Sequence, residues 1–238
     1  MEDWLNKVTY GNLSEYHLSI LKQKCLADDV IPILDKNFGK ELGFPLNNSE
    51  SVKQELNEMV EKVRSIFDKS NSVHFARYKR YDRNLIQSIL SAFTVKGIDV
   101  EELTHSINDD ISPTIIKLKQ KYQRPRPYQL AQYYKLKLFP YDTFSGHSPS
   151  YPSGHTIQAY VILNIIGNKH PQAYGFCKQF ITDIADSRVY LGLHYPSDND
   201  ASYLIGQEIL KLKSITDKYK IWVHKKHQKT HKKKNKEK

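Results

Sequence analysis

The sequence has little of what would place it in an oxidising compartment or inside a membrane. Its two cysteines, Cys25 and Cys177, are far apart and have the spacing of neither a metal site nor a redox motif. A reducing compartment is the simpler interpretation, and a single disulfide bond between the two cysteines is the alternative. The longest apolar stretch, around 160–167, is far shorter than the ~20 residues that cross a bilayer. The first thirty residues contain no sustained apolar core typical of a signal peptide. We therefore expect a soluble, cytoplasmic protein without a transmembrane segment.

Positive charge is concentrated in the last fourteen residues. The formal net charge is +10, and residues 225–238 contain eight lysines and one glutamate, a net +7 that leaves only +3 for the rest of the chain. Such a segment is too polar to be buried, so we expect a solvated, disordered tail. The functional alternative is electrostatic attachment to an anionic membrane surface or to nucleic acid, and a lysine run does not decide between them.

Apolar residues recur at three- and four-residue steps along most of the chain, which is typical of amphipathic helices. The predicted helices span about 51–69, 74–93, 100–122, 154–168, 172–191 and 197–218. The third is expected to be interrupted or restarted near Pro113, and Ser51 with Gln54 indicates a capping box at the first. Residues 128–153, rich in Pro, Ser, Gly and Tyr, predict a long structured loop. No alternating strands and no repeat are present, so we predict a single all-α domain of seven to nine helices over residues 1–224.

The first of three charged clusters is the segment KQKYQRPRPY at 119–128. Lys119 lies beside an apolar helix face, and Arg126 follows seven residues later between two prolines that favour an extended exit from the helix. Taken alone, this pattern is more typical of a basic helix end whose cations interact with the helix dipole.

The second cluster, SPSYPSGHT at 148–156, leads into a predicted helix. Ser153, Gly154 and His155 would lie at its start, where free backbone N–H groups and the dipole attract an anion. Gly154 has no side chain to hinder the approach of a ligand. An ordinary Ser/Gly cap with a half-buried histidine is the alternative.

The third cluster is SRVYLGLHYPSD at 187–198. Arg188 falls on the buried side of its helix and therefore requires acceptors. His194 and Asp198 are four residues apart around Pro196. If Asp198 accepts a hydrogen bond from one imidazole nitrogen, the other is oriented as a nucleophile or base. The alternative is a structural Arg–Asp pair with a surface histidine.

Together the clusters form the pattern K-x6-R-P, P-S-G-H and S-R-x5-H-x3-D, in that order. This pattern resembles the type 2 phosphatidic acid phosphatase superfamily, which includes the bacterial non-specific acid phosphatases and the vanadium haloperoxidases. The matching residues are Lys119, Arg126, Pro127, Pro152, Ser153, Gly154, His155, Ser187, Arg188, His194 and Asp198. Lys117, Arg124 and Pro125 also satisfy the first spacing. We prefer the 119/126 register because the family often has a second arginine two residues before the motif arginine, as Arg124 is here.

The resemblance implies a helical-bundle phosphatase that uses neither a metal nor another cofactor and acts on phosphate esters. Preorganised donors would stabilise the phosphoryl group in flight, since its negative charge is spread over several oxygens. These donors are Lys119, Arg126, Ser153, Gly154 and Arg188. His194 would attack phosphorus, Asp198 would hold its ring, and His155 would protonate the leaving oxygen and then activate water.

Three alternatives follow from the same pattern. The family's pocket can also hold vanadate and oxidise halides, although the haloperoxidases are usually longer chains. A peripheral lipid phosphatase, attached to a bilayer by residues 225–238, is a second. A phosphate-binding or nucleic-acid-binding protein without activity is the third, but such a protein would not need the His155–His194 pair. The alcohol half of the substrate and the oligomeric state have no readable signal in the sequence.

Overall fold

The computed structural model describes residues 3–11, 19, 26–38, 44–143 and 145–221. Within these ranges the regular structure consists of helices and includes no strand, so the prediction of an all-α chain is confirmed. The basic segment 225–238 and Cys25 lie outside the described residues. The boundary of the predicted domain at residue 224 therefore stays a prediction.

The described helices are numbered here in chain order. The α-helices are α1 (Ala27–Phe38), α2 (Glu50–Ile66), α3 (Ser72–Arg83), α4 (Leu85–Thr94), α5 (Glu101–Tyr122), α6 (Pro127–Ala131), α7 (Gly154–Lys169), α8 (Tyr174–Tyr190), α9 (Pro196–Lys211) and α10 (Lys213–Tyr219). Short 3-10 turns occupy Asp3–Lys7, Lys69–Asn71, Gln132–Tyr134 and Pro171–Ala173.

Several predicted helix boundaries are wrong in detail, each for a local reason. The predicted 74–93 helix is two helices, because Asn84 has extended backbone and its side chain accepts from the Gln87 N–H to cap α4. The predicted interruption near Pro113 is absent, and α5 continues through that proline. The cap of α2 is Ser49, whose side chain accepts from the Val52 N–H, rather than Ser51.

Helix α7 occupies the centre of the fold. It is apolar on most of its circumference and is packed by α5, α8 and α9, which is the pattern of a helix buried on several sides. The approach of α9 is close, because a Cβ atom at Gly206 would lie 2.5 Å from Cδ1 of Tyr160 on α7. The N-terminal end of α7, at Gly154, is therefore fixed by the surrounding helices.

A tight turn between α8 and α9 places His194 against the end of α7. Gly192 has φ +76°, a left-handed conformation that favours glycine. Gly192 N–H donates to Val189 O at 2.9 Å and Leu193 N–H donates to Arg188 O at 3.0 Å, the two hydrogen bonds of a Schellman motif. A Cβ at Gly192 would also lie 3.0 Å from Cα of Pro140. The end of α8 therefore sets where the chain turns toward His194.

Candidate active site

A cavity of about 170 Å³ opens between α5, the start of α7 and residues 145–148. Residues of all three charged clusters meet there, although they are far apart in the chain. The lining residues are Ser112, Ile115, Ile116, Lys119, Arg126, Ser145, Ser148, Gly154, His155, Gln158 and His194. Three of the predicted site residues, Ser153, Arg188 and Asp198, are buried and do not line the cavity.

His194 is held from both ring nitrogens. Arg126 Nη1 lies 2.9 Å from His194 Nε2, and because an arginine side chain has only donors, Nε2 is the acceptor and carries no proton. The ring proton is therefore on Nδ1, which donates to Asp198 Oδ2 at 3.2 Å. In this tautomer the Nε2 lone pair accepts from Arg126, and both residues line the cavity.

Burial and neighbouring charge oppose protonation of this histidine. Burial first, and then the charge of Arg126, holds the pKa of His194 well below its ordinary value of 6.5, although Asp198 acts in the opposite direction. Burial alone would raise the pKa of Asp198, but Arg124, followed by His194, holds it well below its usual range. The pair therefore consists of an ionised carboxylate and a neutral imidazole near pH 7.

Two motif cations are held by backbone carbonyl groups. Lys119 Nζ donates to Pro149 O at 2.5 Å, and Arg126 donates from Nε to Ser148 O and from Nη1 to Leu193 O, each at 2.7 Å. Burial, followed by the charge of Arg126, holds the pKa of Lys119 well below its usual value. Burial lowers the pKa of Arg126 to about 10, with the charge of Arg188 adding to the effect. Neutral acceptors thus orient both side chains without cancelling their charge, and a bound anion would stabilise both charged forms.

His155 also lines the cavity and is positioned by α3. Its ring is hydrogen-bonded to the backbone of Tyr81 and lies near the carboxylate of Asp82. Burial, followed by the charge of Arg188, holds the pKa of His155 well below its ordinary value, and Asp82 opposes that effect. The two histidines therefore have different carboxylates beside them, Asp82 for His155 and Asp198 for His194.

Arg188 is buried behind the cavity and pairs with Asp82. Arg188 Nη2 donates to Asp82 Oδ1 at 3.0 Å and to Ser145 Oγ at 2.6 Å. Nε and Nη1 of Arg188 are buried with no acceptor among the described residues. Because buried N–H groups are normally hydrogen-bonded, these two donors are suited to an anion that enters beside them.

The start of α7 offers backbone donors rather than the Ser153 hydroxyl. Thr156 Oγ1 gives its single proton to Asn199 Oδ1 at 2.7 Å, so the 2.8 Å contact between Ser153 Oγ and Thr156 Oγ1 uses the proton of Ser153. The first hydrogen bond within the helix runs from Ile157 N–H to Ser153 O, which leaves the preceding amides of Gly154 and His155 without a partner in the helix. The Gly154 amide lies at the cavity, and a Cβ there would meet Ile115 Cγ2 at 3.2 Å.

Sequence reasoning missed the roles of Arg124 and Asp82. Arg124 entered only as a marker of register, yet its Nη1 donates to Asp198 Oδ1 at 2.6 Å. Asp82 accepts from Thr143, Ser145 and Arg188. A usable signal existed for Asp82, because it is a lone acid in a basic helix and lies four residues after the buried Tyr78.

The comparisons with known proteins concern the segment that contains these clusters and the fold of the chain. The PAP2 superfamily model matches residues 103–217, the segment that contains all three motifs. This segment belongs to the PAP2 superfamily. A crystal structure described as the first transmembrane PAP2-type phosphatidylglycerolphosphate phosphatase from Bacillus subtilis aligns with a TM-score of 0.50 and 18% sequence identity. The alignment covers 84% of this chain and 97% of that chain and supports a PAP2-type fold. A search of curated proteins found no match.

The two registers of the first PAP2 motif are placed differently in space. Lys119 and Arg126 line the cavity, whereas Lys117 is near the surface and lies 3.4 Å from Asp28. Across the part of the chain that the structure describes, no group of three or more His, Cys, Asp or Glu side chains could hold a metal ion. No helix in the described ranges is long and apolar enough to cross a membrane.

We expect both PAP2-motif histidines to titrate below pH 6.5 in the unliganded protein. Since the unfolded chain binds these protons at about 6.5 and the folded chain only at lower pH, the free energy of unfolding should decrease as the pH falls below 6.5. NMR titration of labelled imidazoles, assigned with His155→Gln and His194→Gln, measures both midpoints. Inorganic phosphate should raise them, because an anion in the cavity favours imidazolium. Midpoints at or above 6.5 without phosphate would contradict this account.

Proposed function

We propose that this chain is a phosphatase that hydrolyses phosphate monoesters through a phosphohistidine on His194, with no metal ion in the reaction. The observation that carries the proposal is the orientation of His194, with Nδ1 directed at the buried Asp198 and an unprotonated Nε2 directed at Arg126, which lines the cavity together with His194. A neutral imidazole held in this tautomer is a nucleophile that requires no prior deprotonation. Membership of the 103–217 segment in the PAP2 superfamily supports the same reaction class.

The first half-reaction would transfer the phosphoryl group to the enzyme. His194 Nε2 attacks phosphorus, the N–P bond forms, and the bond from phosphorus to the ester oxygen breaks. His155 gives its proton to that oxygen, so the alcohol leaves neutral. Arg126 donates to Nε2, and a phosphate oxygen, as a charged acceptor, would compete for this N–H and release the lone pair.

Charge on the phosphoryl oxygens would be balanced by protein donors. Lys119, Arg126 and the Gly154 amide lie at the cavity, and Arg188 has two buried N–H groups without an acceptor in the described structure. Fixed donors of this kind stabilise charge that develops in the transition state, since they do not have to reorient during the reaction. The Ser153 hydroxyl would contribute to the anion only after leaving Thr156.

The second half-reaction would restore the enzyme with water. His155, now neutral, takes a proton from water while the water oxygen attacks phosphorus and the N–P bond breaks, which releases inorganic phosphate. For the first step His155 must be protonated, although burial and Arg188 lower its pKa. The negative charge of a bound phosphate monoester, together with Asp82, would raise that pKa and favour the acid form.

A lipid phosphate is a second candidate substrate, favoured by the description of the Bacillus subtilis neighbour as a phosphatidylglycerolphosphate phosphatase. Peripheral attachment to an anionic membrane through residues 225–238 remains our proposal from their net charge of +7. Removing these residues should then reduce turnover of a vesicle-borne substrate more than turnover of a small phosphate ester.

The decisive test of metal-free phosphatase chemistry uses p-nitrophenyl phosphate, chelator and vanadate. We expect turnover to survive excess EDTA and to be inhibited by orthovanadate, which adopts the trigonal-bipyramidal geometry of a phosphoryl group in flight. Lys119→Met should weaken vanadate inhibition and reduce turnover by about 10²–10³-fold, since it removes a charged donor at the cavity. Lys117→Met, the matched control near the surface, should change neither. Loss of activity with EDTA that Mg²⁺ or Zn²⁺ restores would reject the proposal.

A further inference from the structure

A second groove lies between α3, α4 and α8 and is separate from the active-site cavity. Its volume is about 600 Å³, within the range of about 300–1,000 Å³ that is usual for small-molecule sites, and it shares no lining residue with the cavity. Three arginines of α3, Arg77, Arg80 and Arg83, line it, and none of its described lining residues is acidic. Because the charge on its walls has one sign, the groove attracts anions.

Two of these arginines lack the partners that arginines have elsewhere in the chain. The other arginines each contact a carboxylate or a carbonyl oxygen: Arg64, Arg77, Arg124, Arg126 and Arg188. The guanidinium groups of Arg80 and Arg83 have no hydrogen bond or ion pair with any described residue. Residues three positions apart are neighbours on a helix, so these two charges are close together and uncompensated.

Arg77 adds a fixed donor to the same groove. Its Nη1 lies 3.3 Å from Asp183 Oδ2, and its Nη2 donates to His74 Nδ1 at 3.0 Å, so the guanidinium group is held in place. The remaining N–H group, on Nε, is buried and has no acceptor among the described residues. Because buried N–H groups are normally hydrogen-bonded, this donor is suited to an acceptor that a ligand brings.

The wall contributed by α4 adds neutral polar groups. Asn84, Gln87 and Ser91 follow one another at three- and four-residue steps and all line the groove. Asn84 Oδ1 accepts from the Gln87 N–H at 2.9 Å, which leaves the Asn84 amide NH₂ group as a donor. Gln87 Nε2 donates one N–H to Ser91 Oγ at 3.4 Å, so the Ser91 proton, the second N–H of Nε2 and Gln87 Oε1 stay available. This wall can therefore donate hydrogen bonds to an anion and carries no negative charge.

Part of the groove is apolar. Ala92, Val95 and Phe180 also line it, and Val95 is 89% exposed. A ligand that covers these side chains would remove apolar surface from water, which favours binding. The groove therefore matches a ligand that combines an anionic group with an apolar part.

Helix α3 connects this groove with the active site. Tyr81 lines the groove, and its backbone is hydrogen-bonded to His155. The next residue, Asp82, is buried and lies 3.0 Å from Arg188. A ligand in the groove would contact the helix that positions His155 without entering the cavity.

We infer that the groove between α3 and α4 binds an organic phosphate. Arg80 and Arg83 bind the phosphate group, with Arg77 Nε as a further donor, and the apolar part of the ligand packs on Val95 and Phe180. Two uncompensated cations match the charge of about −1.5 to −2 on a phosphate monoester near pH 7, and the guanidinium group fits phosphate oxygens in a bidentate manner. Free small molecules and lipid head groups both present this chemistry. The inference does not depend on the proposed phosphatase function.

Calorimetric titration with phenylphosphonate tests the inference, since the C–P bond of this probe resists hydrolysis. The titration uses Lys119→Met, which weakens anion binding in the active-site cavity, so the groove should account for the binding that remains. Adding Arg80→Gln or Arg83→Gln should weaken this binding by about tenfold or more, because charge-assisted hydrogen bonds to the phosphonate are lost. Methylphosphonate, which lacks the apolar ring, should bind several-fold more weakly. Arg64→Gln, at an exposed arginine on α2, is the matched control and should leave both affinities unchanged.

The outcomes decide both whether the groove binds phosphate and where that phosphate comes from. Absence of phenylphosphonate binding in Lys119→Met, an affinity that neither groove substitution alters, or equal affinity for methylphosphonate would overturn the inference. Phosphatidylcholine vesicles with and without phosphatidic acid identify the source. Vesicle binding that requires phosphatidic acid and is reduced by Arg80→Gln and Arg83→Gln indicates a lipid head group, and phenylphosphonate binding without it indicates a free ligand. Absence of p-nitrophenyl phosphate turnover would reject the proposed function and leave these affinities unchanged.

Discussion

Replacing His194 with alanine is expected to abolish both turnover and formation of a phosphorylated enzyme. The imidazole would supply the atom that bonds to phosphorus, and neither Asp198 nor Arg126 can replace it, because one orients the ring and the other only donates. Removing a nucleophile that acts as a unit with its partners costs about 10⁴–10⁶ in kcat in well-studied hydrolases. We expect kcat of His194→Ala to fall by a factor in that range, with the fold retained.

His155→Ala should behave differently, because this residue would transfer protons and not bond to phosphorus. With a good leaving group such as p-nitrophenolate, which needs little protonation, the variant should still form phosphoenzyme. Hydrolysis of that intermediate should be slow, since no base activates water. The phosphoenzyme should therefore accumulate in His155→Ala and be absent from His194→Ala.

Rapid-quench labelling distinguishes these outcomes. Label on the wild type that is labile in acid and stable in base indicates phosphohistidine, and its absence from His194→Ala assigns the site. His147→Ala is the matched control, because this exposed histidine neighbours Ser148 but lines a different surface depression, near Pro140 and Asp142. Label retained by the His194 variant would reject the assignment.

Arg124→Ala is expected to cause a large loss of stability. The guanidinium group is buried, its Nη1 lies 2.6 Å from Asp198 Oδ1, and its Cζ lies 3.8 Å from the ring centroid of Tyr195. Removing one partner of a buried ion pair leaves an uncompensated charge and typically costs about 3–5 kcal/mol in the free energy of unfolding. Glu55, which also contacts Arg124 at 3.4 Å, would lose part of its compensation as well.

The same substitution should affect catalysis through Asp198. Arg124 is the main group that holds the pKa of Asp198 low against burial, so its removal should raise that pKa and weaken the orientation of His194. Loss of a group that orients a catalytic or metal-binding residue typically reduces activity about 10–100-fold. The fall should be in kcat, and NMR should show a changed His194 imidazole signal, which a purely structural loss elsewhere would not produce.

Urea unfolding with a matched control checks the stability prediction. Arg64 pairs with Glu61 at 3.1 Å on the surface, with 71% of its side chain exposed, so Arg64→Ala should cost less than about 1 kcal/mol. A loss for Arg124→Ala as small as that of the control would show that the buried pair is not what stabilises Asp198. Arg124→Lys should recover part of the lost free energy of unfolding and part of the lost kcat, because lysine restores the positive charge but lacks the planar guanidinium group.

Features that depend on neighbours in sequence were predictable. The helical periodicity gave the correct fold class, and the central helix was predicted at 154–168 against an observed Gly154–Lys169. Helix α9 begins at Pro196, and its third residue, Asp198, accepts a hydrogen bond from the backbone N–H of Tyr195, the residue before the helix, at 3.1 Å. This local contact also holds Asp198 beside His194, four residues earlier in the chain. Contacts of this kind, between residues only a few positions apart, can be predicted from their spacing in the sequence.

Contacts between residues far apart in the chain were not predictable, because the sequence around one partner does not indicate which distant residue it will contact. Asp82 meets Arg188 across 106 residues, and Arg124 meets Asp198 across 74. The Ser153 hydroxyl was expected at the anion but is directed to Thr156, since Asn199 from α9 takes the proton of Thr156. Pairing of buried charges depends on which helices pack together, a property that periodicity alone does not encode.

The sequence by itself determined an all-α chain and the residue types that meet at one cavity, because helix period and short motifs are properties of consecutive residues. Only the tertiary structure decided the surroundings of those residues. It paired each histidine with its own carboxylate, placed Lys119 at the cavity and Lys117 near the surface, and brought Gln158 beside Asn108. The physical reason is that pKa, tautomer and free hydrogen-bonding capacity are set by burial and by partners on other helices.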